Sequence, residues 1–531
     1  MENQPIYIML KIRDEICLKP NELSDNFIFA SREGYEFDAS SFFKITNLPQ
    51  TQEVEIKPDF IKLESIINDF GVKVQFLYNQ IYENQLDREI NNILQTIIDE
   101  TNSLQASDKV PVNDIQKEWM ERGILRVTNF YNYFYIEITD FDNSENLLNQ
   151  LQQISISTEN TFEEYVLDFT HFRYETEEAG GGGEGVVDAN FQTFMGFEAL
   201  RDNSLINDNR KKGEGITIVD CETAWKTGDK TTSTPVFLST NDVNTPTSIQ
   251  HGTKVSSVLM AAPSSGITAI APAVSFIGSN EGSRNRLNLI ENSILNGLIH
   301  FNRNPSLNGI ILIEQEYAGY PVESLPSVFF ILKLAYNLNI TVIEPAGNGA
   351  FNLNKVILKT WTNPRSPLRT RLINISNLVG TLLSRSPTVD SILAMVDSQG
   401  KVNPYGMSGA IIVGAYGISS YGSVKNSGTA VTCYAQGEAV PSFTYIDGSY
   451  FSDGTTISVS AFAETSAASA IMAGFVAILK NIQINRTSPP SRALKPDEIR
   501  EAIIAGKIAG TIGIPNIMQS VDYILSRTYA P

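Results

Sequence analysis

Four short segments carry residues whose types and surroundings could perform acyl-transfer chemistry. Asp220 directly follows the apolar run GITIV. Such a run reads as a buried strand, and reactive groups collect at the carboxyl ends of strands in open parallel sheets. Taken alone, a carboxylate at that point is equally at home as a cap or turn residue. His251 opens HGTKVSSVLMAA, where Gly252 permits close approach and the small residues behind it allow tight helix packing. Ser466 lies in AETSAASAIMAGFVAIL, at the start of an apolar helix rich in Ala and Gly. A hydroxyl there can be an N-cap. The same geometry presents a nucleophile beside free N–H groups and the positive end of the helix dipole. Asn348 sits in VIEPAGNGA, between Gly347 and Gly349 and just past the run ITVI. It reads either as a turn residue or as a side-chain amide that binds an oxyanion.

Taken together, these residues say more than any one of them. Nucleophilic catalysis by serine needs a base within hydrogen-bond reach and a carboxylate to orient that base. The chain offers them in the order Asp220, His251, Ser466. It has three histidines in 531 residues, so Ser–His chemistry has nearly one place to go. His171 lies in the aromatic stretch FTHFRY and His300 ends a predicted helix, whereas His251 stands among small residues. The G-x-S-x-G elbow of another hydrolase class is absent, since GMSGA at 406–410 lacks the final glycine.

The elements that must position these groups follow from the apolar rhythm. Gly215–Val219, Val274–Ile277, Ile310–Ile313, Ile340–Ile343 and Ala410–Val413 are short, near-continuous apolar runs suited to strands buried on both faces. Helical stretches lie between them, notably Leu287–Ile299 and Val328–Leu338. The expected fold is α/β: a doubly wound parallel sheet with helices on both faces. A smaller α+β domain is expected ahead of it, over residues 1–174. There Pro5–Ile12, Val72–Tyr78, Tyr133–Ile138 and Phe162–Leu167 read as strands. Leu86–Ile98 reads as an amphipathic helix, and Asp140–Ser144 offers N-capping residues ahead of Leu147, Leu148 and Leu151.

Residues 175–189 (ETEEAGGGGEGVVDA) form a glycine-rich, acidic linker, and 190–531 the larger domain. Gly180, Gly182 and Gly185 formally match G-x-G-x-x-G. The acidic stretch before them would repel a pyrophosphate, and no Lys-Ser/Thr follows, so a flexible linker is the expected reading.

Composition bounds the function classes. Forty Lys+Arg against 59 Asp+Glu give a net charge of −19, which argues against a nucleic-acid-coating protein. Cys17, Cys221 and Cys433 are scattered and odd in number, so neither a disulfide framework nor a Cys-based zinc site is expected. Ile6–Leu10 is too short for a secretory h-region, and no apolar stretch approaches a membrane span. The expectation is a soluble cytoplasmic protein with no membrane or nucleic-acid partner.

At this point the sequence resembles the subtilisin-like serine proteases over roughly residues 190 to 525. GITIVD is similar to their aspartate motif, HGTKVSSVLMA to the histidine motif, PAGN to the oxyanion motif, and ETSAASAIMAG to the serine motif G-T-S-x-A-x-P. ITAIAPAVSFIG, SGAIIVGA and LKPDEIREAII add softer matches, and GIILIEQE with NITVIEPAGNG resembles a bacterial branch. The resemblance implies an endopeptidase acting on polypeptides through an acyl-enzyme on Ser466. His251 would move the proton, Asp220 would orient it, and Asn348 with the Ser466 N–H would bind the oxyanion.

The resemblance also implies a substrate-pairing segment at Glu314, Gln315 and Glu316, with Gly347 beside it; the acidic residues there suggest a taste for basic substrates. No cofactor is implied. Structural calcium is frequent in such proteases, but no ligand set can be assigned. Residues 1–174 resemble a propeptide-like or regulatory domain. The basic segment 354–404 reads as an insertion and, with that domain, as a place for a regulatory partner. Four departures stand out. Glu464 replaces a glycine and Ala470 a proline; Asp220-Cys221-Glu222 replaces Asp-Ser/Thr-Gly; and Ile313–Tyr317 lacks the usual Ser-x-Gly. They keep a second class open, a peptide-binding pseudoprotease.

Overall fold

The computed structural model describes residues 6–12, 17–20, 28–30, 43–46, 50–76, 133–138, 146–147, 150–151, 162–168, 187–222, 224–225, 231–232, 235–238, 246–280, 290–317, 319–324, 326–350, 353, 408–418, 422, 425–428, 430–443, 459–486 and 492–529. These fall into two compact units, one within Met1–Arg173 and one within Tyr174–Ile357 and Asp390–Pro531. The glycine run Gly180–Gly185, the helix expected at Leu86–Ile98, the capping residues Asp140–Ser144 and the segment 354–404 lie outside the described residues.

In the first unit, strands β1 (Ile6–Ile12), β2 (Cys17–Pro20), β3 (Ile28–Ala30) and β4 (Phe43–Thr46) precede helix α1 (Gln50–Phe70). Strands β5 (Lys73–Phe76), β6 (Tyr133–Ile138) and β7 (Phe162–Asp168) follow. Five strands pair antiparallel in the order β3-β5-β6-β1-β7, and β2 pairs with β4. Four of these strands were legible as β-branched and aromatic runs. Helix α1 was not anticipated, although Phe60, Leu63 and Ile67 recur at helical spacing and are buried.

The second unit opens with two short helices, α2 (Asn190–Phe194) and α3 (Phe197–Asp202), ahead of β8 (Ile216–Glu222) and β9 (Val236–Phe237). Then come α4 (Pro246–Met260), β10 (Ser275–Asn280), α5 (Ile290–Arg303), β11 (Asn308–Ile313) and the small pair β12 (Glu316–Tyr317) and β13 (Tyr320–Pro321). Helix α6 (Pro326–Asn337) leads to β14 (Thr341–Pro345), β15 (Ile411–Tyr416), β16 (Cys433–Gln436) and the antiparallel pair β17 (Val440–Phe443) and β18 (Val459–Phe462). Helices α7 (Glu464–Ile484), α8 (Pro496–Ala505) and α9 (Ile517–Ser526) close the chain.

Seven strands form one sheet, in the order β16-β15-β14-β11-β8-β10-β9, and every pairing is parallel. Their near-continuous apolar runs are what burial on both faces requires: β8, β14, β15 and β16 are buried at every residue. Helix α7 lies along one face with α4 beside it, while α5 and α6 pack on strands of the same sheet and on each other. Among the described residues α7 is the one helix long and apolar enough to cross a membrane, but Thr465–Gln483 are all buried in this core. After β8 the chain turns to β10 on one side and then returns to β11 on the other. The carboxyl ends of β8 and β11 therefore flank a topological switch point, where such sheets hold their ligands.

Candidate active site

Strand alternation decides which side of the sheet each acid reaches. Ile216 and Ile218 of β8 join the core built around α7, whereas Val219 meets Gly297 of α5. Asp220 and Glu222 share the parity of Ile216 and Ile218, so both carboxyls point to the α4 and α7 side. The strand does not end at Asp220. It runs on through Cys221, paired with Ile313 and Ser279, to Glu222, paired with Asn280.

That extension moves the contact to histidine. His251 Nδ1 is bonded to the Glu222 carboxylate, and Asp220 does not take this position. Asp220 instead accepts the indole N–H of Trp225 at 2.6 Å, and its second oxygen has no partner among the described residues. Burial, followed by the Glu222 charge, raises the Asp220 carboxyl well above the usual carboxylate range, against the Trp225 hydrogen bond. The carboxyl that faces the histidine is the one a full pleat further along the strand. The sequence expectation put Asp220 in this place; the structure puts Glu222 against His251 and Asp220 against Trp225. Its visible signal was Cys221-Glu222 in place of the turn residues that would have stopped the strand.

Glu222 is fully buried and held from a second side, with Gln315 Nε2 donating to it at 3.4 Å. With Nδ1 turned to Glu222, Nε2 is the ring nitrogen on the far side of the imidazole. The ring stands edge-on to Phe462, with centroids 5.4 Å apart and planes at 85°. Gly252 is required beside it: a Cβ there would fall against the carbonyl oxygen of Ala224 and within 2.8 Å of Glu222 Cγ.

Phe462 ends β18, four residues before Ser466 in the first turn of α7. The Ser466 side chain is buried and its hydroxyl donates to the main-chain oxygen of Glu314 at 3.1 Å. The contacts thus run unbroken from Ser466 through Glu314 and Gln315 to Glu222 and His251. In this resting arrangement the serine proton points to Glu314.

Asn348 follows the carboxyl end of β14 and reaches the same helix start. Its Oδ1 accepts the Thr465 N–H at 3.1 Å and the Thr465 hydroxyl at 2.8 Å. A main-chain N–H can only donate, so the atom it meets must be the amide oxygen, and the Asn348 NH₂ is turned away from Thr465. Thr465 is a positioning residue that sequence reasoning missed. Gly347, at φ 90°, makes the tight approach possible, since a Cβ there would strike the carbonyl oxygen of Gly319.

The acidic segment after β11 does not form an exposed face. Glu314 and Gln315 are buried, Glu316 is spent on the main-chain N–H of Asn348, and β12 pairs with β13. Glu464 occupies a glycine's conformation at φ 72°, with its N–H on Gly437 O at 2.8 Å. Its carboxylate is paired with Lys425, which offsets a negative charge two residues from Ser466. Among the described residues no group of three or more His, Cys, Asp or Glu is arranged to hold a metal.

No family model matches the chain, and no curated protein matches it. Among solved structures it is similar to the prenylagaramide maturation protease PagA, at 16% identity over 63% of this chain and 99% of that one, with a TM-score of 0.39. The patellamide maturation protease PatA is 14% identical over 59% and 98%, with a TM-score of 0.38. The MycP3 protease from the type VII (ESX-3) secretion system is 13% identical over 64% and 90%, with a TM-score of 0.41.

Proposed function

We propose that the chain is a serine endopeptidase that hydrolyses peptide bonds of polypeptide substrates through an acyl-enzyme on Ser466. The observation that carries this reading is the seating of one histidine against a buried carboxylate, beside a serine at a helix start and an oriented amide. His251 Nε2 takes the Ser466 proton as Oγ attacks the scissile carbonyl, and Glu222 stabilises the imidazolium that forms. The carbonyl oxygen becomes an oxyanion, for which the Asn348 NH₂ and the Ser466 N–H are donors. The same proton then leaves with the amine, and a water molecule, activated by His251, releases the acid and restores Ser466.

One observation favours a second reading, a peptide-binding relative without activity: the Ser466 hydroxyl rests on Glu314 O, not on His251. Labelling of the full chain with a fluorophosphonate probe, beside a Ser466→Ala control, separates the two. Covalent labelling that is lost in the control is the expected result. An unlabelled wild-type protein overturns the peptidase reading.

A further inference from the structure

Once Ser466 is read as the nucleophile, Glu314 is the acid at the site that remains without a role. It directly follows β11, is 2% exposed, and neither carboxyl oxygen finds a hydrogen-bond partner among the described residues. Its own main-chain oxygen holds the Ser466 hydroxyl, which sets the nucleophile against this residue. The ionisable groups acting on it most directly are both acids, Asp220 and Glu222 of β8. Beyond them stand His251 of α4, bonded to Glu222; Glu316 on the same segment, spent on Asn348; and Glu464 of α7, paired with Lys425.

A carboxyl buried without donors and flanked by two acids is held as the neutral acid. Burial first, and Asp220 and Glu222 next, raise its pKa well above the usual range; the nearby Ser466 hydroxyl alone works the other way. We propose that Glu314 is a positioning residue for Ser466: as the neutral acid it leaves the serine hydroxyl free to turn to His251, and as a carboxylate it captures that hydroxyl and shuts the site. The proposal rests on the peptidase reading above. The only chemical change is loss of the Glu314 proton to solvent as the pH rises. A charge-assisted bond from Ser466 to the carboxylate is roughly twice as strong as its neutral counterpart, so it outcompetes His251 Nε2. The new negative charge also disfavours the oxyanion formed on attack. Activity therefore has an alkaline limb set by Glu314.

The test is the rate of fluorophosphonate labelling of Ser466 in the full chain, measured from mildly acidic to alkaline pH. Wild type is expected to lose about tenfold in rate per pH unit beyond the ionisation of Glu314. Glu314→Gln and Glu314→Met are expected to lack this limb, and Glu314→Asp to retain it. A wild type that is labelled without an alkaline limb, or neutral variants that keep it, overturn this proposal and leave the peptidase reading standing. A wild type that is never labelled overturns both. Loss of folding in both neutral variants, judged by thermal melting, also overturns it, because an unpartnered carboxyl should yield to a neutral side chain of similar size.

Discussion

Two acids two residues apart on one strand meet different surroundings, and the surroundings divide their chemistry. Asp220 finds an indole N–H, and burial raises its pKa; Glu222 finds an imidazole and an amide. Glu222→Gln is therefore expected to slow peptide hydrolysis by about 10³–10⁴-fold, because an amide can neither fix the useful histidine tautomer nor stabilise the imidazolium. Asp220→Asn keeps a neutral hydrogen-bonding group opposite Trp225 and is expected to cost about tenfold or less. Steady-state rates of the two purified variants decide the matter, and the reverse ranking would return the orienting role to Asp220. The sequence pointed to Ser466, His251 and Asn348 as candidates through their flanking residues. It did not show this exchange, because whether a strand stops at Asp220 or runs two residues further depends on its neighbours β10 and β11.

At the scale of elements, the site is an arrangement of ends: the carboxyl ends of β8, β11 and β14, the HGT segment of α4, and the first turn of α7. Each end has a local reason. β8 and β14 are apolar runs, and α7 is an Ala-rich stretch without proline. Gly252 lets α4 approach β8 closely enough for His251 to meet Glu222. Gly252→Ala is expected to push the helix from Ala224, lower peptide hydrolysis by about 10²-fold or more through misplacement of the ring, and destabilise the fold by about 1–3 kcal/mol. A crystal structure of the variant with the His251–Glu222 bond intact, together with wild-type activity, would contradict this. The strands and helices around the site were readable as apolar runs within a few residues. The caps and crossings were not, because Thr465 and Asn348 are 117 residues apart and meet only when β14 and α7 pack side by side.

At the scale of the whole molecule, α7 ties the reactive end of the sheet to its far end. Four turns beyond Ser466, Lys480 is 1% exposed and donates to Gly309 O at 2.8 Å and Thr341 Oγ1 at 3.4 Å. Burial without a carboxylate lowers its pKa to about 7. The unfolded chain holds that proton up to about pH 10.4, so between about pH 7 and 10 unfolding takes up a proton and stability rises with pH. The buried acids Asp220 and Glu344, whose pKa values are raised, have the opposite sign, losing stability as pH rises above about 4. Lys480→Met is expected to flatten the rise above neutral pH in denaturant melts, and an unchanged slope would show that the lysine keeps its charge in the fold. By itself the sequence determined the class of fold, through apolar runs that need burial on both faces, and singled out one serine and one histidine as candidates, through their scarcity and setting. Only the tertiary structure decided which acid meets that histidine, how the Asn348 amide is turned and which carboxyls are buried. Those depend on distances of a few ångströms between distant parts of the chain, and on how much water each group loses when they come together.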